Sequence, residues 1–146
     1  SYSNESLFPA DVQSVRVEMF ENQSFRRGVE YDLSEALAKR IEAETPYKII
    51  TSKDRADTVI SGQITNISEA VLSTERQTGR PMESEVHLQA VVTWKNLNNA
   101  ELLLDSRTVS ASATYSIWQN QSFDYASSRA ANNLAEKIVE MMEKEW

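Results

Sequence analysis

Cysteine is absent from the 146 residues, histidine occurs once, and glycine and proline occur three times each. Without cysteine there is no disulfide, thiolate metal centre or cysteine nucleophile. The glycines stand alone at Gly28, Gly62 and Gly79, so no phosphate-cradling loop exists. No apolar run reaches the roughly 20 residues that cross a bilayer, and the start lacks the basic and apolar regions of a signal peptide. Cations are outnumbered, 15 Lys and Arg against 22 Asp and Glu, for a net charge of −7. That balance argues against broad nucleic-acid binding, which needs a basic face that releases phosphate counterions, and an anionic membrane surface would repel the chain. A hydrolase or transferase requires a nucleophile with its base, a carboxylate pair or a metal cluster. One histidine and carboxylates spread over helix exteriors supply none of these, so the expectation is no enzyme, no cofactor and no metal.

What is present is alternation. A single domain is expected over 1–146, large enough to bury about 68–70% of its unfolded surface, with 1–10 as an extended lead-in. Val15, Val17 and Met19 alternate with Arg16 and Glu18, which predicts a strand over Val12–Phe20. Asp32 with Glu35 three residues on reads as a capping box, opening a helix that carries Leu33, Ala36, Leu37 and Ile41 on one stripe and stops before Pro46. Tyr47 to Thr51 reads as a short strand.

Three long strands follow, between Ala56 and Trp118. In the first, Ile60, Gly62 and Ile64 share one parity while Ile67 and Val71 take the other, which predicts a bulge near Thr65 and Asn66. Turns are expected at Gln77–Pro81 and at Asn96–Ala100. In the middle strand Val86, Leu88, Ala90, Val92 and Trp94 are apolar at even positions. In the third, Val109, Ala111, Ala113, Tyr115 and Ile117 fill the odd positions. A final helix is expected over Phe123–Lys144, with Ala130, Ala131, Leu134, Ile138 and Met141 on its apolar stripe. The tetrapeptide Asn-Gln-Ser-Phe at Asn22 and Asn120 is no true repeat, since the apolar positions after the two copies do not superpose. The fold class is α+β: two helices on one face of a mostly antiparallel four- to five-stranded sheet, in the order β-α-β-β-β-β-α.

The other parity of the long strands is polar yet almost uncharged. Ser61, Gln63, Thr65, His87, Gln89 and Thr93 occupy it, together with a hydroxyl ladder of Ser106, Thr108, Ser110, Ser112, Thr114 and Ser116. Solvated sheet faces usually carry interspersed charges that discourage association. Either this face rests against a polar protein wall, or Ser and Thr are simply good strand formers on a wet surface. His87 belongs to that face and reads as a solvated or interface side chain. Arg76 and Arg80 flank the first long turn, placed to grip a phosphate or to keep the turn soluble.

Several stretches resemble a known family. The start Ser1-Tyr2-Ser3, the strand Val15-Arg16-Val17-Glu18-Met19-Phe20 continuing to Phe25, the helix Leu33-Ser34-Glu35-Ala36-Leu37, the run from Ala56 to Ile64 and the ending Leu134-Ala135-Glu136-Lys137-Ile138-Val139 are similar to the lipopolysaccharide-assembly lipoproteins, LptE. The resemblance implies a non-catalytic, periplasm-facing outer-membrane lipoprotein that plugs the lumen of the large β-barrel LptD and assists lipopolysaccharide transport. Its membrane contact would come only through an acylated N-terminal Cys that this chain does not carry, Tyr2 matching the Tyr that follows it in the family. It also implies lipopolysaccharide binding through basic loop residues, onto which Arg76 and Arg80 map. Phe20-Glu21-Asn22, Ala56-Asp57 and Gly62 equally resemble the lipoproteins of curli secretion and penicillin-binding-protein activation, which stand as the alternative.

Overall fold

The computed structural model describes residues 11–52 and 55–143. In chain order the elements are β1 (Ser14–Val17), β2 (Glu21–Asn22), α1 (Val29–Glu44), β3 (Lys48–Ile49), β4 (Thr58–Thr74), β5 (Pro81–Asn96), β6 (Leu102–Ser116), a single 3-10 turn and α2 (Phe123–Met141). One mixed sheet runs β3-β1-β4-β5-β6, with β2 paired to β4. The expected α+β class holds: β4–β5 and β5–β6 are long antiparallel pairings, whereas β1 lies parallel to both β3 and β4. The lead-in over 1–10 lies outside the described residues.

The middle strand does what its alternation demands. Val86, Leu88, Ala90, Val92 and Trp94 are all buried on the side covered by the helices. From β4 come Ile60 and Ile64, and from β6 come Val109, Ala111 and Ala113. Leu33, Leu37 and Ile41 of α1 and Leu134 and Ile138 of α2 close the core, each fully buried. Each such side chain is worth about 1.5–3 kcal/mol of transfer from water. Ala126, Ala130, Ala131 and Ala135 line the inner face of α2, so that helix packs close against β5 and β6.

The anticipated bulge is present. The β4–β5 register steps from Ile64↔Ala90 to Asn66↔Gln89, and Ile67 then faces Leu88 on the core side. Thr65 is the extra residue, its hydroxyl donating to the Gln89 carbonyl at 3.3 Å.

Several boundaries differ from expectation: β1 starts at Ser14 rather than Val12, β3 is only Lys48–Ile49, and β6 stops at Ser116, which leaves Ile117 exposed in the 3-10 turn. The first strand ends at Val17, not Phe20: the chain turns so that Met19 is exposed and Phe20 enters the core, and the two-residue β2 resumes pairing along β4. Helix α1 begins at Val29, because Gly28 takes φ 104° and Glu30, rather than Asp32, folds back to accept from the Gly28 amide at 2.6 Å. Asp32 instead lies within the first turn, where burial, and then Glu35, Asp124 and Glu30, push its carboxyl above the usual range. Helix α2 ends at Met141, short of Lys144.

Candidate functional site

With both helices on one side, the opposite side of β4, β5 and β6 is bare among the described residues. The register assembles its side chains, polar except for Val91, into rungs across three strands. Ser68, His87 and Ser112 form one; Asn66, Gln89 and Ser110 the next; Gln63, Val91 and Thr108 a third. Ser61 faces Thr93 beyond them. Toward the tip, Glu85 faces Thr114 and Glu83 faces Ser116. The central rungs therefore carry hydroxyls and amides whose hydrogen-bonding capacity points outward.

Two features modify the expected ladder. Ser106 does not continue it: the β5–β6 register slips between Val92↔Arg107 and Trp94↔Leu104, and Ser106 takes φ 46° with its amide donating to Thr93 Oγ1 at 3.2 Å. The regular ladder starts at Thr108. The face is also less free of charge than its parity suggested, since His87 Nε2 meets Glu85 Oε1 at 2.6 Å. That carboxylate gives His87 a local partner on an exposed strand, and its neighbours across the rung are the hydroxyls of Ser68 and Ser112.

Arg76 and Arg80 sit in the connection between β4 and β5. Gly79 takes φ 69°, its amide donates to the Glu75 carbonyl at 2.9 Å, and the Glu75 amide donates to the Arg80 carbonyl at 2.8 Å. Both arginines are exposed and neither is ion-paired among the described residues. At about 3.3 Å per strand residue, the seven positions from Arg80 to His87 put the tip roughly 20 Å from the nearest central rung. These are two sites, not one.

The sequence did not reveal how much apolar surface lies toward that tip. Val71 and Leu72 are each 51% exposed, and Ile117, Trp118 and Phe25 are exposed as well. A clue was the parity switch after Thr65, which carries apolar residues beyond the reach of the helices. Among the described residues no group of three or more His, Cys, Asp or Glu could hold a metal, and no helix is long and apolar enough to cross a membrane.

The model of the lipopolysaccharide-assembly family LptE matches residues 12–142. The chain belongs to the LptE family. The LptE match spans every element of the sheet and both helices, so the polar rungs and the arginine tip are features of an LptE domain. Solved structures share the fold at low identity. A hypothetical protein of Chlamydia trachomatis is 12% identical, with 88% of this chain and 94% of that one covered at a TM-score of 0.60. A minor lipoprotein of Acinetobacter baumannii is 16% identical, with 92% and 98% covered at 0.60. An uncharacterized lipoprotein of Nitrosomonas europaea is 14% identical, with 94% and 83% covered at 0.59. No curated protein matches the chain.

Proposed function

We propose that this LptE-family chain works by binding, as an outer-membrane lipoprotein on the periplasmic side that seats its bare sheet face against the lumen wall of the LptD β-barrel and assists lipopolysaccharide delivery. One observation carries the reading: the helices occupy one face only, and the other presents rungs of hydroxyl and amide groups from three strands. Porin-type barrel interiors are polar, so a plug needs many neutral hydrogen bonds and few charges that would lose their water. The family match over 12–142 supports this reading over the curli-secretion and penicillin-binding-protein-activator type.

Introducing Lys at both Ser110 and Ser112 tests it. Desolvating an ammonium against a neutral wall costs several kcal/mol per ion, so co-purification with LptD is expected to drop at least tenfold while circular dichroism stays that of the parent. Undiminished retention of LptD would sink the plug.

At the tip, Arg76 and Arg80 supply the free guanidinium pair for lipopolysaccharide phosphates, bidentate geometry being what arginine offers a phosphate. Reversing both, Arg76→Glu with Arg80→Glu, should weaken lipopolysaccharide binding roughly tenfold in a fluorescence titration and flatten its salt dependence. An identical titration curve for the double variant removes the two residues from the binding site.

A further inference from the structure

A sheet has two edges, and here a third arises because β1 and β2 cover only part of β4. The β3 edge is two residues long and carries Lys48. The β6 edge is long, but α2 and its approach guard it: Lys137 Nζ donates to the Ser110 carbonyl at 2.6 Å, Asn133 Nδ2 donates to the Ser112 carbonyl at 2.9 Å, and Gln121 engages both the amide and the carbonyl of Ser116. Short strands, lysines and covering side chains are how proteins blunt unpaired edges.

Among the described residues the third edge has no such guard. Pairing on the outer side of β4 ends where the Gln23 amide donates to the Ile64 carbonyl at 2.9 Å. Beyond the bulge, β4 continues to Thr74 with only β5 beside it among the described residues. The alternation of an antiparallel ladder directs the amides and carbonyls of Ile67, Glu69 and Val71 away from β5, into the open. Along this edge lie Ala70, Val71 and Leu72, with no lysine or proline and one charge at Glu69, whose carboxylate accepts from the Tyr115 hydroxyl at 2.9 Å. Two guarded edges and one open apolar edge on the same sheet mark the open one as a place that is filled.

We propose that β4 from Thr65 to Thr74 accepts an added strand from its partner: an extended, partly apolar segment with a Lys or Arg opposite Glu69. Backbone hydrogen bonds to Ile67, Glu69 and Val71 would give the affinity, and the side chains on either face the register, as in β-strand addition generally. A second copy of the chain is the poorer occupant. Self-pairing of this edge brings Glu69 carboxylates together between two molecules each of net charge −7, and like charges across a ladder repel. Naming LptD as the source of the strand rests on the plug reading; the open edge does not.

The test uses the full lipoprotein co-expressed with LptD, carrying a photo-crosslinking residue at Leu72 or, separately, at Ser112. The expected result is an LptD adduct from Leu72 that maps to one extended LptD segment. Val71→Pro, which removes an amide that β5 does not use, should reduce that adduct at least tenfold, and Glu69→Lys, which keeps every backbone group, should reduce it at least threefold. An LptD adduct from Ser112 with none from Leu72, or a Leu72 adduct indifferent to both substitutions, overturns the added strand and leaves the plug standing. A Leu72 adduct to a second copy, or to residues 1–10 of the same chain, overturns it in favour of that occupant. No LptD adduct from either position overturns both readings.

Discussion

Gly62→Ala is expected to cost this protein about 3 kcal/mol, the upper part of the range for overfilling a packed interior. Gly62 lies in β4 between Ile60 and Ile64, opposite Val92, on the parity that faces the core. A Cβ there would run into the Val91 carbonyl oxygen and come within 2.8 Å of the Phe20 ring. The ring could tilt, but the carbonyl is backbone of the neighbouring strand, in the middle of the sheet. Phe20 is itself fully buried, brought there by the turn that ends β1. At roughly 2–4 °C per kcal/mol for a chain of this size, the melting temperature should fall by about 6–12 °C. Adding Phe20→Leu should recover only the part owed to the ring. A Gly62→Ala protein that melts within about 1 °C of the parent would show that strand and ring do not approach so closely.

Trp94→Ala should be more damaging still, about 3–5 kcal/mol, as expected for removing a large buried aromatic. The indole is 2% exposed and does two jobs. Its ring meets Tyr47 edge-on, with centroids 5.7 Å apart and planes at 61°. Its N–H donates to Thr58 Oγ1 at 2.9 Å, and that hydroxyl donates in turn to the Ser14 carbonyl at 2.8 Å. One chain of hydrogen bonds therefore ties β5 to β4 and β4 to β1. Trp94→Phe separates the two roles: it keeps most of the packing and loses the indole donor, so it should cost about 1–2 kcal/mol. Urea unfolding of the two variants side by side reads the difference. Equal losses from Phe and Ala would assign the whole effect to the hydrogen bond.

How far the sequence could be read depended on whether a signal survived locally. The alternation of β5 is clean because one of its faces is wholly covered, and the phase change after Ile64 survives because Ile67 and Val71 are apolar on the new parity. The slip in β6 was hidden, since Leu102, Leu103 and Leu104 are all apolar and show no parity at all, so Ser106 looked like one more rung. Glu85 was passed over because its meaning depends on His87 lying two residues along the same exposed face. The start of α1 was misplaced because Asp32 and Glu35 fit a capping pattern that Gly28 and Glu30 satisfy earlier. Least visible was the open edge of β4. It is what remains where the cover of β1 and β2 stops at Ile64, and β1 reaches β4 only by pairing across more than 40 residues.

The length of β4 and β5 sets a reach. Sixteen residues in β5, at about 3.3 Å each, make a ribbon roughly 50 Å from end to end, against a hydrocarbon layer of about 30 Å. Asp11, Glu101, Glu140 and Glu143 gather around Arg107 at one end of that ribbon and the turn of Arg76 and Arg80 lies at the other. Seated lengthwise in a barrel, such a ribbon is taller than the membrane around it. Laid along the normal of that layer, it would carry the turn at Asn96–Ala100 and the turn of Arg76 and Arg80 to opposite ends, roughly 20 Å further apart than the layer is thick.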